Sequence, residues 1–227
     1  MKQLLIYISP TDSFDKEHEE LTKIQIDNSL ELGWKVEDII LATNFDWEYK
    51  GVKALALKGD FAALDGNRSS KILVINRLFD MGKIRDGDTV WFHDHDAFQL
   101  VPFEAPELYP AVAGFTDHGW STKWNAGSFF FNRGAADLFQ EIYNQMIRGN
   151  TNEQDALTYM WENGWCEYKV LNITYNLNIT KIEDNLKLAK KPILVTHFHP
   201  HKKRHLDLFR SIIPERLLKI FNNYELR

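Results

Sequence analysis

Thr89-Val90-Trp91-Phe92-His93-Asp94-His95-Asp96 is a β-branched and aromatic run that stops abruptly in two carboxylates, each preceded by a histidine. The turn residues Asp86-Gly87-Asp88 come just before it, so Thr89 to Phe92 reads as a buried strand. A strand that ends in Asp-His-Asp delivers acids to the carboxyl edge of its sheet, which is where open α/β sheets bind ligands. In extended chain, positions i and i+2 share a side, so Asp94 and Asp96 are expected to face one point and His93 the opposite face, as a core histidine. Paired hard oxygens suit Mg²⁺ or Mn²⁺, and an added imidazole leans towards Mn²⁺. Taken alone, Asp-x-Asp reads equally well as a polar loop with solvated acids.

Outward from this run, strands and helices alternate. Gln3 to Ser9 reads as a buried strand, followed by the turn residues Pro10-Thr11-Asp12-Ser13. Asp15 to Leu32 reads as a helix with Leu21 and Ile24 on one side and Gly33 as its stop. Further strands are expected at Asp38 to Thr43, Val52 to Leu57, Ala111 to Phe115, Gly127 to Asn132 and Ile193 to His197. Further helices are expected at Ser69 to Met81, Gly134 to Met146, Asn152 to Trp161 and Ile212 to Asn222. Between Phe115 and the Gly127 strand, Thr116 to Trp124 is polar and contains glycine. This alternation predicts an α/β fold with a mostly parallel central sheet flanked by helices. The stretch Trp165 to Lys191 fits strand or loop equally.

The chain has 227 residues, 44% of them hydrophobic, enough for one sizeable core, and a single domain over 1–227 is expected. A net charge of −5 gives no global attraction to nucleic acid or to an anionic membrane. One cysteine, Cys166, excludes an intramolecular disulfide and fits a reducing compartment. The apolar start, Leu4 to Ile8, is too short for a signal-peptide core and no window approaches a membrane span, so a cytoplasmic protein is expected.

Six of the eight histidines fall in two short segments, His93 with His95 and His197 to His205. Both follow apolar strands. In a parallel sheet both would sit at the same edge and could share one site, although about a hundred residues separate them. His197 would supply a third metal ligand. Lys202, Lys203 and Arg204 would then lie close enough to neutralise phosphates, although a charge run is also the usual make-up of a solvated turn. Acids holding a divalent ion beside basic side chains match the needs of a nucleoside-diphosphate leaving group.

These segments resemble the GT-A glycosyltransferases, most closely the glycogenin-like and galactosyltransferase-like enzymes of glycosyltransferase family 8. Asp94-His95-Asp96 is similar to the family's Asp-x-Asp metal motif. His197-Phe198-His199-Pro200-His201-Lys202-Lys203-Arg204-His205 resembles the late motif His-Phe-x-Gly-x-x-Lys-Pro-Trp, with His197 at the metal ligand and Lys203 at the diphosphate-binding lysine. The motif's glycine is Pro200 here and its Pro-Trp is Arg204-His205, and proline offers no N–H to a phosphate. Trp124-Asn125-Ala126-Gly127-Ser128-Phe129 resembles the segment whose asparagine touches the donor sugar. Glu153-Gln154-Asp155-Ala156-Leu157 resembles the Asp-Gln-Asp-x-Leu segment near the reacting sugar, and Tyr175-Asn176-Leu177 resembles a Tyr-Asn segment before the late motif. Thr11-Asp12-Ser13-Phe14 resembles the segment that holds the uracil, and Lys71 is similar to a lysine that approaches the nucleotide sugar.

The resemblance implies a GT-A-type, Rossmann-like domain with a nucleotide half at about 1–100 and a sugar and acceptor half at about 101–227. It implies a UDP-sugar donor, Mn²⁺ or Mg²⁺ on Asp94, Asp96 and His197, and retention of the anomeric configuration. Nucleotide contacts are expected from Ser9, Asp12, Phe14, Thr43, Lys71, His95 and Lys203, and catalytic roles at the sugar from Asn125, Gln154 and Asp155, with Asp155 as the carboxylate near the anomeric carbon. An inverting enzyme would need a general base, for which Asp155 or Glu153 could serve. The acceptor is a glycan, a protein or a small molecule, with no nucleic-acid partner expected. Two other readings are an inactive nucleotide-sugar-binding module and an all-helical His-Asp phosphohydrolase, which the strand Thr89 to Phe92 opposes.

Overall fold

The computed structural model describes residues 1–59, 61, 70–117, 124–165 and 168–224. Cys166, the Ser69 start expected for the second helix, and the 118–123 part of the polar stretch before Asn125 lie outside the described residues. In chain order the elements are β1 (Lys2–Tyr7), α1 (Lys16–Glu31), β2 (Ile39–Thr43), β3 (Glu48–Tyr49), β4 (Val52–Lys53), β5 (Leu55–Ala56), α2 (Ser70–Asp80), β6 (Thr89–His93) and β7 (Ala97–Gln99). They continue as β8 (Ala113–Asp117), β9 (Trp124–Asn132), α3 (Ala136–Gly149), α4 (Glu153–Glu162), β10 (Tyr168–Leu171), β11 (Leu177–Asn178), α5 (Ile182–Leu188), β12 (Val195–His197), α6 (Lys203–Phe209) and α7 (Glu215–Asn222).

A seven-stranded sheet runs in the order β10-β8-β9-β6-β1-β2-β5. β6, β1, β2 and β5 pair in parallel, as do β10 and β8. β9 is antiparallel to both of its neighbours, β6 and β8. The sheet is therefore mostly parallel, with one reversed strand beside β6. Val90 to His93 are all buried because helices or loops cover both faces, which is why this strand reads as a continuous apolar run.

Alternation sorts the aromatics. Phe92 and its cross-strand partner Phe129 stack at 4.7 Å on the side of α2 and α3, with Phe131, Phe79 and Phe139. Trp91 and its partner Phe130 face the other way, with Phe103 and Tyr175 close by. Burial of such rings contributes about 2–3 kcal/mol each in area bookkeeping.

Helix α1 is held to β7 by polar contacts. Gln25 Nε2 donates to the carbonyls of His95 and Ala97, and Asn28 Nδ2 donates to that of Gln99. Arg216, from α7, adds donors to the Gln99 and Leu100 carbonyls. These side chains supply hydrogen-bond donors to backbone carbonyls along and beside β7.

Three expectations need correction. The late strand β12 does not join the main sheet. It pairs with β11 in parallel and with β7 antiparallel, in a separate three-stranded sheet. Val52 to Leu57 is two short strands rather than one. β4 closes a hairpin with β3 through a turn in which Lys50 and Gly51 adopt positive φ, and β5 edges the main sheet beside β2. Asp94 and Asp96 do not share a side through extended alternation, since β6 ends at His93. The Ala97 N–H donates to the Asp94 carbonyl at 3.0 Å, closing a turn that swings both acids to one place. The seven-stranded sheet is also incompatible with the all-helical phosphohydrolase reading.

Candidate metal and donor site

The site forms where β1, β2 and β6 end. The Asp94–Asp96 turn leads directly into β7, and β7 pairs with β12 so that Ala97 lies opposite His197. This hairpin-like register, rather than a shared parallel edge, brings His197 to the acids. Ligand atoms of Asp94, Asp96 and His197 all lie within 4.8 Å of one another. A six-coordinate ion with bonds of about 2.1 Å places its ligands about 3–4 Å apart, so two carboxylates and one imidazole at this separation fit a small divalent cation.

The electrostatics agree with the geometry. His197 Nε2 sits 3.1 Å from Asp96 Oδ1 and His199 Nδ1 3.3 Å from Asp96 Oδ2. Burial opposes a charged His197, but the charge and hydrogen bond of Asp96, with Asp94 behind them, raise its pKa above the ordinary value. Burial likewise opposes a charged Asp96, and the two imidazoles hold its carboxyl well below the usual range. His93 and His95 behave oppositely. Burial pushes them down to about 3 and about 4, so both are neutral.

Lys71, in the first turn of α2, reaches Asp94 Oδ1 at 3.3 Å, Glu153 Oε1 at 3.1 Å and the Ala126 carbonyl at 3.2 Å. A cation in a first helical turn opposes the helix dipole. Its compensation is the two acids, which raise its pKa against the pull of burial. Glu153 opens α4, and among the described residues its buried Oε2 takes no hydrogen bond. A cavity of about 280 Å³ lies beside these groups, lined by the end of β1, by α1, by Lys71 and by Asp94, His95, Asp96 and His199.

Of the expected nucleotide residues, Ser9, Asp12, Phe14 and Thr43 lie on the β1–β2 side, whereas Lys71, His95 and Lys203 come from α2, from the turn after β6 and from α6. Asn44 joins the strands by donating to the Ser9 carbonyl and to Asp12 and by accepting from the Ser9 N–H. Phe14 stacks on Tyr7 at 4.6 Å and meets Phe45 and Trp47 edge-on. Thr43 is fully buried and donates to the Phe45 carbonyl. His95 lines the cavity with its ring nitrogens on Thr22 Oγ1 and the Ile6 carbonyl. Lys203 is exposed in the first turn of α6.

On the sugar side, Asn125 Oδ1 accepts from the Gly127 N–H and from Asn176 Nδ2. Asn152 caps α4 by accepting from the N–H groups of Gln154 and Asp155, while Asp155 Oδ2 accepts from Thr151 and Asn152. Glu153 is the α4 acid that reaches the metal cluster, through Lys71. Asn176 and Gly127 lie inside two of the segments that resemble family motifs, but their chemistry alone gives them no role. Their contact with His197 does, and only the fold supplies it.

No family model and no curated protein matches the chain. Solved structures do. The galactosyltransferase LgtC, in complex with donor and acceptor sugar analogs, has a TM-score of 0.64 at 12% identity over 99% of this chain and 96% of that one. The glycosyltransferase GlyE of Streptococcus pneumoniae gives 0.60 at 11% identity over 98% and 63%. A glycosyltransferase involved in glycosylation of the major capsid of PBCV-1 gives 0.56 at 12% identity over 94% and 100%. The backbone is thus that of the GT-A glycosyltransferases, with a likeness to a family 8 member. No helix among the described residues is long and apolar enough to cross a membrane.

Proposed function

We propose that this GT-A chain is a metal-dependent glycosyltransferase that moves a sugar from a UDP-sugar to an acceptor hydroxyl. The observation that carries the reading is the meeting of Asp94, Asp96 and His197, from segments about a hundred residues apart, beside the cavity at the carboxyl ends of β1 and β6. The half at about 1–100 would hold the nucleotide, with Ser9, Asp12, Phe14 and Thr43 on the base side and Lys71, His95 and Lys203 towards the sugar and diphosphate. The half at about 101–227 would hold the sugar and a glycan, protein or small-molecule acceptor, through Asn125, Gln154 and Asp155.

Asp94, Asp96 and His197 would hold Mn²⁺ or Mg²⁺, which as a Lewis acid stabilises negative charge on a departing diphosphate. Lys71 adds positive charge beside Asp94. The acceptor oxygen bonds to the anomeric carbon as that carbon's bond to the diphosphate oxygen breaks, and the electron pair leaves with UDP. Retention is the outcome the family likeness favours. The acceptor's hydroxyl proton leaves on the departing diphosphate oxygen in a retaining transfer, or to a general base in an inverting one, for which Asp155 or Glu153 could serve.

Calorimetric titration of UDP with Mn²⁺ and then with EDTA tests the reading. Mn²⁺-dependent binding that disappears in Asp96→Ala is expected, and a donor panel scored for UDP release follows. Absence of UDP binding in both conditions would sink it. Pro200 and Arg204-His205, the latter now inside α6, favour one rival, a binding module without catalysis. That rival predicts UDP-sugar binding with no turnover across the panel, slow donor hydrolysis included.

A further inference from the structure

One hydrogen-bond chain runs from the sugar-facing asparagine to the metal-facing histidine, and its polarity is fixed from one end. The Gly127 backbone N–H can only donate, and it does so to Asn125 Oδ1 at 2.8 Å. That identifies the oxygen of the Asn125 amide. Asn176 approaches the same oxygen at 2.7 Å, so it must present its NH₂ group there. Its own Oδ1 is left facing His197 Nδ1 at 3.2 Å, and an oxygen acceptor requires a proton on that nitrogen. Nε2 is the nitrogen turned to the Asp96 carboxylate, to which it donates when the ring is charged, and a metal ion would take that proton's place.

Gly127 anchors the same chain sterically. A Cβ there would collide with His197 Cε1 and lie 2.5 Å from Nδ1. Its carbonyl also accepts the Asp94 N–H at 2.8 Å. A single glycine therefore starts the relay, holds the backbone of one acid and leaves room for the imidazole.

We infer that Asn176 is a positioning residue that sets the tautomer of His197 and the amide orientation of Asn125 together. It leaves the His197 Nε2 lone pair for a metal ion and the Asn125 NH₂ as a hydrogen-bond donor to a sugar hydroxyl. The metal site and the sugar site are thus oriented by one side chain. Partners that orient a ligating imidazole are typically worth about 10–100-fold in metal affinity. The inference rests on the proposed metal site and deepens it.

The test uses Mn²⁺ alone, titrated into the full chain without nucleotide and followed by the electron paramagnetic resonance of the free ion. Asn176→Leu removes both contacts and should weaken Mn²⁺ binding by about 10-fold or more. Asn176→Asp keeps an acceptor for His197 Nδ1–H but sets a carboxylate against Asn125 Oδ1. It should retain Mn²⁺ affinity while raising the KM for a UDP-sugar. Asn125→Asp keeps both acceptor contacts and loses only the NH₂, so it should bind Mn²⁺ as wild type does and turn over donor poorly. Thermal melts of the three variants check folding. Wild-type Mn²⁺ affinity in Asn176→Leu, or equal losses in the leucine and aspartate variants, would overturn the relay. If the wild-type chain binds no Mn²⁺, the proposed function fails separately. The relay is then read from imidazole ¹⁵N spectra of Asp96→Ala, in which the Asp96 carboxylate no longer faces Nε2, at a pH where His197 is neutral. A proton on Nδ1 is expected, and a proton on Nε2 overturns the inference.

Discussion

Two pairs of histidines flank the same acids and have opposite characters. His93 and His95 come from the strand side, are buried without a carboxylate hydrogen-bonded to either ring among the described residues, and are neutral down to about pH 3 and about pH 4. His197 and His199 come from the loop side and bracket the two oxygens of Asp96. Burial alone expels charge from an imidazole, while burial beside an acid retains it, as the raised His197 pKa shows. Density of histidine in the sequence therefore does not locate the ligand. Its partner does.

The largest expected effect tests that distinction directly. Asp96→Ala and His197→Ala should each reduce Mn²⁺ affinity by more than ~100-fold, beyond the range of changes in residues that only orient a ligand. His95→Gln should leave it within a few-fold, because its ring nitrogens are engaged by Thr22 and the Ile6 carbonyl. Equal losses in His95→Gln and His197→Ala, by the same Mn²⁺ titration, would erase the comparison.

Gly127→Ala comes next. The new methyl group must displace His197 and leaves the strand-side pair untouched. Mn²⁺ affinity should fall roughly 10- to 100-fold. A crystal structure of the variant should show the His197 ring moved and the His93 ring in place. Unaltered affinity would mean that His197 is not a ligand where it stands.

The third effect is on stability against pH, measured by urea unfolding in EDTA. Below about pH 6.5 the unfolded chain protonates His93 and His95 while the folded chain does not, so stability falls as pH drops towards 4. At pH 5 the cost is about 2 kcal/mol per histidine relative to about pH 7. His197 carries the opposite sign: its pKa is raised, so its contribution is present at low pH and is lost as pH rises through that value. Asp96 shares the sign of the strand-side histidines, because its contribution is full above the ordinary carboxylate range and is lost progressively as pH falls below that range. His95→Gln should therefore flatten the acid limb by about 2 kcal/mol at pH 5. An unchanged limb would show that His95 is not held neutral.

Much of the architecture can be read from the chain itself. β1, β2, β6 and β9 are apolar runs closed by turn residues, and a strand buried on both faces has no other appearance in sequence. The two metal-motif segments are also visible, as acids and histidine after apolar runs. Their route to one another is not, because β12 pairs with β7 and short-strand pairing leaves no periodic signature in three residues. Tyr168 to Leu188 is ambiguous in sequence for the same reason, being two short strands and a seven-residue helix. Asn176 and Gly127 fall in recognisable segments, but their roles depend on contacts with the distant His197, which a linear reading cannot supply.

The smallest effect concerns the less buried member of the loop-side pair. The His199 side chain is 46% exposed, against 18% for His197, and it meets the other oxygen of Asp96 at 3.3 Å. Solvent screens such a contact, and exposed ion pairs contribute about 1 kcal/mol or less. His199→Ala should accordingly weaken Mn²⁺ binding by less than about 5-fold, with the remaining loss shrinking further as salt is raised. A loss as deep as that of His197→Ala would change the donor set. His199 would then be a ligand in the loaded site, the site would be two acids and two imidazoles, and the loop-side pair would act as one unit rather than as a ligand and its neighbour.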